Sequence, residues 1–251
     1  MELSDIFWNA SLEELKRGYV QEKGTFKCLL CGEKVEKGII YPYEDIFYDA
    51  ERFMRIHIEN VHGSVFEYLI GMDKKLTGLT DHQKSLLSLF YQGKNDSEIQ
   101  NELSIGSTST IRHHRFALKE KERQAKTFLA MMELLKEKDE YAPAFLPVHK
   151  TARMIDDRYN VTREEQEKII NKYFPDGTNA LLVKFPPKEK QRLVVLREIV
   201  KRLEVERIYG EKELNEILSS AYDDYVLIRR LLIEYGFIDR KTDGSQYWLK
   251  K

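Results

Sequence analysis

Residues 76–126 (LTGLTDHQKSLLSLFYQGKNDSEIQNELSIGSTSTIRHHRFALKEKERQAK) constrain this 251-residue chain more than any other stretch, because three helix-start signals follow one another closely in it. Thr80 with Gln83 three residues on has the form of a capping box. Leu86, Leu87, Leu89 and Phe90 then supply an apolar stripe, and Gly93 marks the stop. Asn95 can cap a second, short helix with Ile99 and Leu103 inward. After the turn Ser104-Ile105-Gly106, Ser107 can cap a third. Two short helices, a turn of about four residues and a longer polar helix make a helix-turn-helix arrangement.

The third helix has the chemistry of a reader. With Ile111 and Leu118 inward, Arg112, Phe116, Lys119 and Arg123 fall on one outer stripe, with Ser109 and His113 beside it. From Ser107 to Lys126, six basic side chains (Arg115 among them) face two acidic ones, a net charge of +4. Such a stripe attracts a phosphate backbone, and Ser107, Ser109 and Thr110 bring hydroxyls to the anion-binding end of the helix. The expected partner is double-stranded DNA, contacted by Ser107, Ser109, Thr110, Arg112, His113, Arg115, Phe116, Lys119 and Arg123. His114, nearer the core side, is expected to position the helix. The competing reading is a solvated basic helix beside a small core.

This run resembles the LuxR/GerE-type helix-turn-helix of bacterial transcription regulators. The matching residues are Leu79, Thr80, Gln83, Gly93, Asp96 or Ser97, Glu98, Ile99, Leu103, Ser107, Thr110, Ile111, Arg112 and His114. The resemblance implies a tetrahelical helix-turn-helix domain, base and phosphate contacts from Arg112, His113 and Phe116, and a helix after the reader that pairs two chains. The chain departs from the family at Gln100, where a small Ala usually sits at the helix crossing. It departs again at Phe116, often a basic residue, where an aromatic ring suits a thymine methyl better than a phosphate. Beyond the reader, Ile111, Leu118, Ala125 and Met132 are seven apart, with Phe128 and Leu135 in a second heptad position. Either this extension packs on its own domain or it is the seam of a homodimer.

In the N-terminal segment, Ser11 and Glu14 predict a capped helix over 12–20. Cys28 and Cys31 form a C-x-x-C knuckle followed by Gly32, with strands expected at 25–28 and 39–41, and the helix expected over 49–61 brings His57 and His62. Two thiolates on a tight turn and two imidazoles on the next helix make a four-ligand set for structural Zn2+, with no open position for catalysis. The two histidines lie about 140° apart on a regular helix, so they converge only where the helix ends, which Gly63 permits. Twenty-five residues separate Cys31 from His57, against about 12 in C2H2 fingers, so the segment resembles a C2H2 finger carrying an insertion. A redox cysteine pair, or histidines that merely pack, are the alternatives.

Residues 139–161 hold Pro143 and Pro147 and read as a linker. Thr162 with Glu165 caps a helix. LLVKF at 181–185 is expected as a strand, Pro187 opens a helix, two more helices follow, and the chain closes in a hairpin around Asp243-Gly244. This order resembles a winged helix, and the run also looks like an uncharacterised C-terminal domain found on bacterial helix-turn-helix regulators. Arg229 and Arg230 on its last helix, with Arg240 and Lys241 in the hairpin, form a possible second DNA or partner surface. Asp223 and Asp224 at the helix start oppose a phosphate there.

The expected architecture is therefore mainly α: a zinc-finger-like module (1–75), a helix-turn-helix domain with an extended dimerisation helix (76–138), the linker (139–161) and an α+β winged-helix-like domain (162–251). Net charges of −4, +2 and +1 over 1–75, 76–138 and 139–251 confine nucleic-acid attraction to the middle segment. With 33% charged and 42% hydrophobic residues the chain is globular rather than disordered. It has no membrane-spanning run, and its two cysteines fit a reducing cytoplasm. No phosphate-binding glycine loop, G-x-S-x-G elbow or H-E-x-x-H is present, so no enzymatic activity is expected, and any small-molecule effector stays unidentified. The expected function is a dimeric, sequence-specific transcription regulator. The alternative is a zinc-stabilised interaction adaptor whose helix-turn-helix binds protein.

Overall fold

The computed structural model describes residues 3–250. The chain is mainly helical and divides into two compact units, one reaching Thr77 and resuming at Ala144, the other spanning Gly78–Pro143.

The first unit opens with α1 (Leu3–Asn9) and α2 (Leu12–Arg17). Ser11 and Glu14 form the expected capping box, but the helix ends at Gly18, whose positive φ turns the chain straight into a strand. Strands β1 (Tyr19–Glu22), β2 (Thr25–Cys28) and β3 (Lys34–Glu36) form an antiparallel sheet, with Tyr19 opposite Cys28 and Phe26 opposite Val35. The strand expected at 39–41 falls instead in a separate hairpin, β4 (Tyr41–Tyr43) with β5 (Ile46–Tyr48), and this hairpin is the insertion between the cysteines and the histidines. Asp49 caps α3 (Ala50–His62), Ser64 caps α4 (Val65–Gly71), and the short α5 (Lys74–Thr77) follows. Phe7, Tyr19, Phe26, Leu29, Leu30, Met54 and Ile58 are buried together at the centre.

The second unit holds α6 (Asp81–Tyr91), α7 (Asp96–Glu102) and α8 (Thr108–Lys136). The expected capping box of Thr80 with Gln83 forms, and Asn95, expected as a cap, completes a box with Glu98. α6 and α7 end in the same way. The Lys94 N–H reaches the Leu89 carbonyl past Gly93, and the Ile105 N–H reaches the Gln100 carbonyl past Ser104, whose φ is +53°. This second closure is the turn of the helix-turn-helix, and it swings Ile105 back onto the core of Leu86, Leu89, Ile99 and Ile111. Gln100 lies at the rim with its amide 3.5 Å from the Gly106 carbonyl, so its length is absorbed at the turn. The fourth helix of a tetrahelical domain is not a separate element. Residues 121–136 continue α8 in line and every one is exposed; Lys121 reaches the Gly78 carbonyl, and the apolar side chains beyond it are uncovered within the unit.

Residues 144–161, expected as a linker, are packed instead. Leu146, His149, Lys150, Ala152, Tyr159 and Val161 are all buried, and the Leu146 N–H donates to the Val161 carbonyl at 2.8 Å. Pro147 sits within this packed run, its carbonyl accepting from the buried Arg197 at 2.7 Å, rather than freeing the chain from a core. Then come α9 (Arg163–Tyr173), α10 (Glu189–Ile199), β6 (Ile208–Gly210), α11 (Glu211–Ser219), α12 (Tyr225–Tyr235), β7 (Ile238–Arg240) and β8 (Gln246–Leu249). The sheet order β6-β8-β7, with α10 before β6 and α11 and α12 after it, is that of a winged helix. α10 is buried on every side from Leu193 to Ile199. LLVKF is not a strand: single bonds from Leu182 to Ala221 and from Val183 to Tyr173 pin it, and the third strand comes from Ile208–Gly210. A three-residue strand is too short for alternation to be read, whereas an apolar run imitates a strand it never forms.

Gly236 ends α12 at φ +86°, and a Cβ there would lie 2.2 Å from the Thr151 carbonyl oxygen. Gly236→Ala is therefore expected to destabilise the protein by about 2 kcal/mol or more, through backbone strain and displacement of residues 150–152, as read in chemical denaturation.

Candidate functional site

Cys28 ends β2, and the chain folds back at once, with the Gly32 N–H donating to the Cys28 carbonyl at 2.9 Å and the Leu30 N–H to Cys28 Sγ at 3.4 Å. Both thiols are buried. Opposite them, α3 stays helical through His62 and then stops abruptly. Gly63 has φ 69° and ψ −66°, and the Ser64 N–H donates to the His62 carbonyl at 2.8 Å, a positive-φ γ-turn that suits glycine. A Cβ at Gly63 would sit 2.0 Å from a Glu67 carboxylate oxygen.

This stop lets both rings meet the sulfurs. Cys28 Sγ lies 3.7 Å from His62 Nε2 and Cys31 Sγ lies 3.1 Å from His57 Nε2, and the four ligating atoms are within 4.8 Å of one another. A tetrahedral ion bound at ~2.3 Å to sulfur and ~2.0 Å to nitrogen spaces its ligand atoms about 3.3–3.8 Å apart, so this cluster fits a single four-coordinate metal ion with little adjustment. The predicted quartet is thus brought together, and α3 needs no loosening before its end.

Of the ligand charges, only that of Cys28 leans the same way. A hydrogen bond from Cys31, aided by the Leu30 and Cys31 N–H groups, holds Cys28 down at about 7, against the opposing effect of burial. Cys31, as donor in that bond, is pushed up, and its contact with His57 raises the imidazole. One residue that sequence reasoning missed completes the surroundings. The Lys150 ammonium, in the segment read as linker, donates to the Leu29 and Leu30 carbonyls at 2.9 and 2.7 Å. Nothing in its local sequence signals this role, because its partners are 120 residues away.

On the helix-turn-helix unit, α8 presents Arg112, His113, Phe116, Lys119 and Arg123 to solvent, with Ile111 fully buried behind them. Lys119 pairs with Glu122 and Arg123 with Glu120. Exposed pairs of this kind are worth about 0–1 kcal/mol and exchange readily for another anion. At the helix start the Ser107 hydroxyl lies 2.7 Å from that of Ser109 and 3.0 Å from that of Thr110, and it accepts the Thr110 N–H. His114 is half-buried against His82, ring centroids 4.9 Å apart, and burial lowers its pKa. Arg115 does not join the outer face. Its Nε donates to Asp96 at 3.0 Å and its guanidinium stacks 3.7 Å over Phe90, so it ties α8 to α6 and α7. The three-residue step from 112 to 115 turns about 60° short of a full circle, from the outer stripe to the flank, where Asp96 and Phe90 meet the guanidinium.

The C-terminal candidates also separate. Arg229 is held by Glu211 at 2.6 Å and Asn215 at 2.7 Å, and its guanidinium lies over Tyr247, so it is structural. Arg230, Arg240 and Lys241 are exposed.

Residues 181–249 match a family model. Its description is an uncharacterized protein conserved in bacteria (DUF2087). The matched stretch runs from the pinned LLVKF segment through β8 and takes in the whole winged-helix order. No curated protein and no solved structure matches the chain. Among the described residues no helix is long and apolar enough to cross a membrane.

Metal binding here requires a Cys28 thiolate and a neutral His57. As pH falls through about 7, Cys28 takes up a proton, and His57, raised by its thiol partner, does so earlier than an ordinary imidazole. Both changes oppose the ion. Metal affinity is expected to fall steeply below that pH, measured by competition with a chelator. In metal analysis the wild type is expected to carry one ion per chain and Cys28→Ser none.

Proposed function

We propose that this protein is a bacterial-type, sequence-specific DNA-binding regulator that works as a dimer in the cytoplasm, with a structural zinc ion at Cys28, Cys31, His57 and His62. The observation that carries the reading is the outer face of α8. A tight turn after α7 and a buried Ile111 set this helix on a small core, and Arg112, His113, Phe116, Lys119 and Arg123 point away from that core. A rigid helix with one or two guanidinium groups near its start suits the major groove, where Arg can reach guanine O6 and N7. The lysine and arginine further along suit the phosphates of the groove wall. The likeness to LuxR/GerE-type readers supports this assignment over about 50 residues.

Zinc is favoured by the donor set itself, since two thiolates and two imidazoles at tetrahedral spacing suit Zn2+ better than cations that prefer oxygen ligands. Pairing of two chains is supported by the distal half of α8, about 24 Å of exposed helix. There Phe128, Met132 and Leu135 lie along one stripe, flanked by Leu129, Met131 and Leu134. The same apolar face favours the adaptor reading if its partner is another protein.

Arg112→Ala is expected to cost about 1–3 kcal/mol in binding to a duplex selected from a random pool, and to relax preference at one position of each half-site. Lys119→Ala should weaken all sequences alike and make the salt dependence shallower by about one per site. If neither change alters binding, α8 is not the reader, and Arg230, Arg240 and Lys241 are the next surface. Affinity that scarcely varies with salt would favour the adaptor.

Phe128→Asp is expected to convert a dimer to a monomer in sedimentation at micromolar concentration and to weaken duplex binding with it. A wild type that sediments as a monomer even with half-site DNA present would remove the dimer.

A further inference from the structure

Within the first unit, residues of the N-terminal module and of the C-terminal portion line a half-open cavity of about 290 Å³. Leu30, Val200, Phe237 and Leu249 form apolar walls, and the charged lining consists of Lys150, Arg197, Lys201 and Lys250, with no carboxylate among the described residues that line it. Two of these cations have acids just outside: Lys201 is 2.7 Å from Glu198 and Lys250 is 3.9 Å from Asp239.

Lys150 has none. Its side chain is buried, two of its donors go to the Leu29 and Leu30 carbonyls, and the Phe7 and Tyr68 rings lie 5.4 and 5.2 Å away. An ammonium has three donors, so one is left over. A buried ammonium held by two carbonyls and two ring faces, with no ion pair to a carboxylate among the described residues, is poorly compensated, and an anion in the cavity would complete it. A second cavity that Lys150 borders is lined by Glu67 and Asp73 as well, which disfavour an anion there.

We propose that this cavity binds a small amphipathic carboxylate, with its anionic head at Lys150 and its hydrocarbon body against Leu30, Val200, Phe237 and Leu249. At ~30 Å³ per water the space equals about ten waters, which suits an acid of about ten non-hydrogen atoms. The site adjoins Cys31, which lines the same cavity, and it stands whether or not α8 reads DNA.

The test is calorimetric titration of the metal-loaded full chain with octanoate and with octanamide, which has the same shape without the charge. Octanoate is expected to bind saturably at one per chain, and octanamide about ten-fold or more weakly, the ratio expected for a hydrogen bond to a charged group. Lys150→Met should abolish the preference for the acid. Because Lys150 also holds the knuckle, Val205→Trp serves as the second variant. Val205 lines the cavity and is 60% exposed, so a larger side chain there should obstruct the site, abolish octanoate binding and leave metal content and melting temperature intact. No saturable binding of octanoate, equal affinity for the amide, or unchanged binding by a folded Val205→Trp would each overturn the proposal.

Discussion

Two buried carbonyls, those of Leu29 and Leu30, receive one lysine, and the arrangement of the first unit depends on that contact. A C-x-x-C knuckle turns too sharply for its middle residues to join a ladder, yet both are almost fully buried here. Their oxygens therefore need donors from elsewhere, since an unpaired buried carbonyl costs about as much as a lost hydrogen bond. Lys150 supplies two from a segment that the chain reaches only after the whole helix-turn-helix unit. The Trp8 indole N–H donating to the Val148 carbonyl at 2.6 Å and Arg163 pairing with the buried Asp5 at 3.0 Å repeat the link on either side. The finger-like module is thus part of a larger core rather than a bead on a string. Its Cys28, Cys31, His57 and His62 quartet, a candidate metal site, sits here against residues that line a cavity.

The helix-turn-helix unit is built on the opposite economy. Four fully or nearly fully buried side chains hold three helices, so direction is set at the helix ends. Capping boxes start α6 and α7, and two left-handed residues, Gly93 and Ser104, stop them. Arg115 adds a charge-assisted clasp between the helices. With so little apolar area to bury, the unit leaves the outer stripe of α8 and all of its distal half exposed, the first basic and the second apolar. These are two different surfaces on one continuous rod.

Much of this was legible in advance because the signals are local. Ser11, Thr80, Asn95 and Thr162 each cap the helix that their spacing announced, with the acid or amide three residues on completing the box. The metal quartet was legible for a related reason: few arrangements of two cysteines and two histidines are stable in one module, and Gly63 stood where the helix had to stop. The errors share a cause as well. LLVKF has a strand's composition but no strand beside it. Residues 139–161 have a linker's composition, yet from Ala144 on they have a core to cross. Arg115 and Arg229 have the charge of readers and are held by Asp96 and Glu211 instead.

Helix starts and stops, the ligand set and the basic stripe of α8 were determined by the chain itself, because each depends on residues within a few positions of one another or on a spacing the helix repeats. Which basic side chains remain free, what satisfies the knuckle carbonyls, and where a cation is left facing an apolar cavity were decided only by the tertiary structure. Those outcomes rest on pairs such as Lys150 with Leu30, 120 residues apart, and charge compensation between distant groups leaves no periodicity in a sequence.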